Sequence, residues 1–133
     1  MNKAFFWLAL IVLAELTVAP ASQAQNPAEG KKLYTQYCLS CHQADGLGVQ
    51  NMNPPLSKTS WVNGDKSRLI SVILEGLSRQ EIDGETYTNV MAPYNFLDDK
   101  QIADLLTFIR KSFHNRASPI APGEVKAVRA KKN

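Results

Sequence analysis

Residues 38–42 read Cys-Leu-Ser-Cys-His. Two thiols three positions apart lie on one helical turn, so both can reach the vinyl groups on one side of a porphyrin. The imidazole directly after the second thiol then lies beneath the ring and can bind iron from one face. Cys38 and Cys41 are the only cysteines in the 133 residues. The chain therefore reads as a wrapper for one haem c, covalent through Cys38 and Cys41, with His42 on the iron. A redox dithiol would want the motif at a strand–helix junction of a βαβ pattern, but a turn-rich loop follows His42. A structural zinc wants four ligands at short paired spacings, and the one other histidine, His114, is remote. An exported chain can also use two cysteines for a disulfide; the three-residue spacing followed by histidine favours haem.

The length predicts one domain. Residues 1–24 read as an export signal, with Lys3 in front and an apolar run over Ala4–Ala14. Glu15 ends the run, and Ser22-Gln23-Ala24 supplies small residues for cleavage. The run is shorter than the roughly 20 apolar residues needed to cross a bilayer. An uncleaved anchor extended through Leu16–Ala19 is the alternative. This reading predicts a periplasmic domain over 25–133 without stable membrane insertion. Loss of the leader removes Lys3 and Glu15 and leaves the net charge at +3. Two haem propionates would bring it close to neutral, which points to neither nucleic acid nor a membrane surface.

Asn26-Pro27-Ala28-Glu29 predicts a helix start with Asn26 as cap, Pro27 in the first turn and Glu29 completing a capping box. Gly30, Leu33, Tyr34 and Tyr37 recur at helical spacing and run straight into Cys38. Gly30 on this stripe implies either a closely crossing helix or simple tolerance of glycine. Residues 43–59 read as a loop, with Gly46, Gly48 and Pro54-Pro55. A haem-ligating histidine needs its other ring nitrogen hydrogen-bonded, and the carbonyl of Pro54 or Pro55 is the expected acceptor. Trp61 is a candidate donor to a propionate, or else a core tryptophan. Asp65 caps a second helix with Leu69, Ile70, Ile73, Leu74 and Leu77 on its apolar face and Gly76 at its end. Asp83-Gly84 marks a short hairpin.

A thioether sulfur is a soft ligand suited to haem iron. Met91, in the loop Val90-Met91-Ala92-Pro93-Tyr94, is the candidate for the second face of the iron. Met1 lies in the signal, and Met52 is only ten residues beyond His42, on the histidine's side. Gap-filling in a core is the other use of Met91. Asp98 and Gln101 form a capping box for a helix through Ile102, Leu105, Leu106, Phe108, Ile109 and Phe113, with Arg110 and Lys111 suited to its C-terminal dipole. His114 reads as a solvent-facing residue, with iron ligation as the alternative. Asn115–Pro122 reads as a linker. Gly123–Ala130 allows one or two helical turns, and Lys126, Arg129, Lys131 and Lys132 read as a basic solvated tail.

Taken together these residues resemble the class I c-type cytochromes, over essentially the whole of residues 26–133. The resemblance implies an all-α cytochrome c fold, three or more helices around one covalently attached haem, with room for a short β-hairpin. It implies that Gly30 and Tyr34 pack on Leu105 and Phe108, that Pro54 accepts from His42, and that Met91 is the distal ligand. Asn53-Pro54-Pro55-Leu56, Trp61-Val62-Asn63-Gly64-Asp65 and Glu124–Ala130 are similar to cytochrome domains serving quinoprotein dehydrogenases or copper nitrite reductases. Met91-Ala92-Pro93 departs from the commoner Met-Pro, and His114 stands where glycine is usual. The implied function is periplasmic one-electron transfer with His/Met ligation, by a carrier rather than an enzyme, between redox proteins such as a dehydrogenase or reductase and a respiratory acceptor. The alternatives are a dedicated cytochrome subunit of a periplasmic dehydrogenase, and a haem enzyme or gas sensor with an open iron site.

Overall fold

The computed structural model describes residues 24–132, and the expected export signal lies outside them except for Ala24. Among the described residues six helices and one hairpin follow in order: α1 Pro27–Tyr37, α2 Leu39–His42, α3 Ser60–Asn63, α4 Lys66–Glu75, β1 Glu81–Ile82, β2 Glu85–Thr86, α5 Asp99–Lys111 and α6 Pro122–Ala130. The helical class and the hairpin agree with the sequence reading. α3 was not anticipated; four residues carry too little periodicity to be seen, although Thr59 caps it by accepting from Val62 N–H.

The centre of the fold is the crossing of α1 and α5. Gly30, Leu33 and Tyr34 form the buried stripe of α1. A side chain at Gly30 would collide with the Asp104 carbonyl and stand 2.8 Å from Phe108 Cβ, so the glycine marks a close helix crossing. Tyr34 stacks at 5.5 Å on Phe108 and 5.1 Å on Phe113. Asn26 caps α1 through its side chain. Its own backbone N–H does not go to Glu29, as the expected capping box requires, but to Asp104 Oδ1 at 2.8 Å. Asp104 is buried and uses its other oxygen on Lys100 at 2.6 Å. One carboxylate thus ties the start of α1 to α5.

The helix starts and stops fold as read. Leu77 and Phe113, however, expected on the apolar faces of their helices, lie past the ends of α4 and α5, Leu77 beyond the Gly76 stop and Phe113 at φ +54°. Asp65 caps α4, which ends at Gly76 with φ +77°. Asp98 and Gln101 form a reciprocal capping box on α5. Asp83 and Gly84 take positive φ of 54° and 89° in the two-residue turn between β1 and β2, the conformation that such hairpins favour.

The C-terminal segment differs from its reading as a linker and solvated tail. Asn115 is buried; its amide donates to Leu56 O and Ile109 O and accepts from Lys58 N–H and Asn63 Nδ2. It pins the loop before α3 to the end of α5. Ile120, Val125 and Val128 enter the core. Arg129 bonds Asp99 and Lys132 bonds Glu75, so these two cations fasten α6 down. Lys126 and Lys131 remain exposed. Among the described residues no helix is long and apolar enough to cross a membrane.

Candidate functional site

α1 delivers Cys38 at its C-terminal end, and the single turn of α2 carries Cys41 and His42. Tyr34 fixes the exit of this turn by donating from Oη to Gln43 O at 2.5 Å. Cys38 is buried and Cys41 is exposed. Burial, helped by the neighbouring Cys41, pushes the Cys38 thiol up to about 12, so as a free thiol it stays protonated. Burial likewise raises the Tyr34 phenol.

His42 Nδ1 stands 2.9 Å from the carbonyl oxygen of Pro54. A carbonyl only accepts, so the proton sits on Nδ1 and Nε2 keeps a free lone pair. Burial pushes the His42 pKa down, partly opposed by this bond, and favours the neutral ring. The bond also fixes the ring's orientation. The loop carrying Pro54 is folded back by Gly48, whose φ is +68° and whose Cβ position is taken by the Asn53 and Pro54 carbonyls.

These residues border a cavity of two lobes. One, of about 210 Å³, is lined by Cys41, Asn53, Arg79, Tyr87, Asn89 and Tyr94 among others. The other, of about 60 Å³, is almost wholly apolar, with Leu56, Trp61, Leu69, Ile73, Leu106 and Ile109 in its wall. Cys38, His42, Pro54, Leu77, Ile82 and Met91 line both. Thiols, an imidazole with a free lone pair and a thioether thus converge on one mainly apolar hollow, with some polar groups in the wall of its larger lobe. That donor set and shape fit a haem.

Each sequence candidate can be placed relative to this hollow. Met91 faces both lobes, while Met52 lines neither and is 46% exposed. Pro55 lines the apolar lobe only. Trp61 lines that lobe and carries the Arg68 guanidinium 4.5 Å from its ring centroid. His114 is exposed, borders neither lobe and has φ +63°.

Other wall residues were missed. Leu77 pairs with Met91 in an isolated bridge, its N–H donating to Met91 O at 3.0 Å and its carbonyl accepting from Met91 N–H at 2.8 Å. Gly76 permits this approach, because a side chain there would strike the Met91 carbonyl. Tyr94 Oη donates to Tyr37 O at 3.0 Å across the cavity wall. Thr88 and Asn89 donate their N–H groups to Asn51 O and Met52 O, each at 3.1 Å, so the two long loops are stitched together. No periodicity announces loop-to-loop bonds; the one hint for Leu77 and Tyr94 was their nearness to Gly76 and Met91.

The cytochrome c family model matches residues 27–113. Cytochrome c-552 of Thermus thermophilus is 36% identical over 115 residues, covering 79% of this chain and 87% of that protein. The cytochrome c subunit of the quinone alcohol dehydrogenase of Gluconobacter oxydans (strain 621H) is 32% identical over 113 residues, 84% of this chain and 23% of that protein. The fructose dehydrogenase cytochrome subunit of Gluconobacter japonicus is 31% identical over 114 residues, 82% of this chain and 24% of that protein. This chain therefore spans about a quarter of those subunits, and nearly the whole of the c-552 protein. With the thiol pair, the oriented imidazole and the hollow that they border, the match over most of the described chain makes this protein a member of the cytochrome c family.

Proposed function

We propose that this chain is a periplasmic electron carrier whose haem c is held through Cys38 and Cys41, with His42 and Met91 as the two axial ligands. The haem, when bound, supplies a one-electron iron couple, and a His/Met pair sets it at a raised potential. The protein's part is to hold the ligands and to exclude water. His42 is oriented by Pro54, the Met91 loop is tied to Leu77, and the apolar lobe keeps the interior dry. Trp61, in the wall of the apolar lobe, is the proposed donor to a propionate. The convergence of Cys38, His42 and Met91 on one hollow carries this reading.

Redox enzymes are the fitting partners, and a dedicated cytochrome subunit of a dehydrogenase is the second reading. The names of the Gluconobacter relatives favour it. Encounters of this kind bury small interfaces, below about 1,200 Å² in total, and charge steers their on-rates.

The deciding experiment uses the holoprotein from a cytochrome-maturing host. Acid–acetone should leave the haem on the chain. The native ferrous protein should not bind carbon monoxide at neutral pH, whereas Met91→Ala should bind it and lose the near-infrared sulfur-to-iron band of the oxidised state. Met52→Ala should keep both wild-type properties. Ready carbon monoxide binding by the native protein would instead mark an enzyme or sensor. Stopped-flow reduction by a pyrroloquinoline-quinone dehydrogenase should be weakly saturating for a carrier, while co-purification with such an enzyme would favour the subunit reading.

A further inference from the structure

The segment from Met91 to the start of α5 is held at three levels. Met91 bonds Leu77 at its beginning. In the middle, Tyr94 N–H donates to Ile73 O at 2.7 Å. At its end the fastening comes from α6. Arg129 Nη1 donates to Asn95 O at 3.0 Å, Nη2 to Leu97 O at 2.8 Å, and Nε to Asp99 Oδ1 at 2.9 Å. One planar guanidinium thus grips two loop carbonyls and the first residue of α5. Lysine cannot copy this, since an ammonium has no fork.

The grip works from a fixed base. Val125 is fully buried and Val128 nearly so. Lys66 bonds both oxygens of Glu124 at 3.0 and 3.1 Å. Thr107 Oγ1 accepts from Ile120 N–H at 3.0 Å and donates to Ile120 O at 3.2 Å just before α6. Neither of these hydrogen-bonded anchors involves a residue of the Met91 loop. α6 also lies beyond residues 27–113, the span that matches the family.

We infer that Arg129 is a positioning residue for the distal side of the site: by clamping Asn95 and Leu97 it keeps the loop that carries the Met91 sulfur closed. The inference rests on the reading of Met91 as an axial ligand. A guanidinium bonded to two backbone carbonyls resists their displacement, and charged hydrogen bonds are the stronger class. Releasing them lets the loop swing out from its Tyr94 anchor and raises the fraction of time that the sulfur is away.

The test measures cyanide binding to the oxidised holoprotein, the near-infrared sulfur-to-iron band and the midpoint potential, all well below the unfolding temperature. Arg129→Gln is expected to speed cyanide binding by about tenfold or more, the scale of one or two charged hydrogen bonds. It should also weaken the band and lower the potential. Lys132→Gln, on the same helix but paired with Glu75, should stay within about twofold of wild type, as an exposed ion pair implies. Should Arg129→Gln fail to accumulate with haem, Arg129→Lys, which can keep the Asp99 ion pair but gives up the fork, carries the same test. Faster binding in either Arg129 variant supports the clamp; rates matching Lys132→Gln overturn it. Met91→Ala separates the two claims. If it binds cyanide no faster than wild type, the ligand assignment has failed; if it binds fast while the Arg129 variants do not, the clamp alone has failed.

Discussion

Gly30 of α1 lies so near Phe108 of α5 that a Cβ built on it would stand 2.8 Å from the Phe108 Cβ. The Asp104 carbonyl is nearer still and, as backbone, cannot rotate away. Helix propensity favours alanine over glycine by roughly 1 kcal/mol, while overpacking costs about 1–3 kcal/mol. Because backbone must shift, the cost should win. Gly30→Ala is expected to lower the unfolding temperature of the holoprotein by roughly 5–15 °C. A raised unfolding temperature would show that propensity governs and that the crossing is loose.

Such local matters were legible in the sequence. The caps at Asn26, Asp65 and Asp98, the stop at Gly76 and the turn at Asp83-Gly84 each depend on a few neighbouring residues. The attachment motif was legible because its chemistry is written in five consecutive residues. What stayed hidden joins distant residues. Asn26 N–H reaches Asp104, Asn89 N–H reaches Met52, and Asn115 gathers Leu56, Lys58, Asn63 and Ile109. No period records such pairs. The basic C-terminus misled for the same reason: a run of lysines and arginines looks solvated until the carboxylates that meet it, Asp99 and Glu75, are brought near by the fold.

Arg110 is a second case, and it carries a prediction. By sequence it complements the C-terminal dipole of α5. In the fold it is 2% exposed and donates to Ser118 O at 2.7 Å, Val62 O at 2.6 Å and Gly64 O at 3.2 Å. Burial lowers its pKa, with the Glu124 charge opposing, but a guanidinium stays charged in proteins. Arg110→Met keeps the bulk and orphans these carbonyls. Val62 is buried whereas Ser118 and Gly64 are exposed, so at about 1–3 kcal/mol for an unsatisfied buried group the loss in denaturant unfolding should be about 1–3 kcal/mol. Arg110→Lys should recover only part of it, because one ammonium cannot reach both sides. A loss under about 1 kcal/mol for the methionine variant would mean that water replaces the guanidinium.

Removal of the chain beyond Asn115 should prevent a stable holoprotein. It strips Ile120, Val125 and Val128 from the core, each contributing about 1.5–3 kcal/mol by burial. Their sum is comparable to a whole domain's stability of about 5–15 kcal/mol. Expression with haem maturation, followed by absorbance and circular dichroism, checks this. A truncated protein with native spectra and melting would return α6 to the status of a solvated tail.

Acid should loosen α6 at Glu124. Burial acts to raise this carboxyl, but the Ala121 N–H, the Lys66 ammonium and the Arg110 charge together outweigh it and hold the pKa below its ordinary 4.5. A carboxyl with a depressed folded pKa binds its proton more readily in the unfolded chain. Its contribution is therefore complete above the unfolded value and is lost as pH falls through the folded one. The Arg110 guanidinium stays charged and adds no slope of its own. Glu124→Gln isolates the charge, because the amide oxygen can still accept from Ala121 N–H. The difference in unfolding temperature between wild type and Glu124→Gln should be constant from neutral pH down to about pH 5.5, then shrink below about 4.5. Added salt should reduce it at neutral pH, since the pair with Lys66 is partly exposed. No difference at neutral pH would assign the role of Glu124 to its cap hydrogen bond, which the amide keeps, and a difference unchanged at pH 3 would show that the carboxylate charge does not carry it.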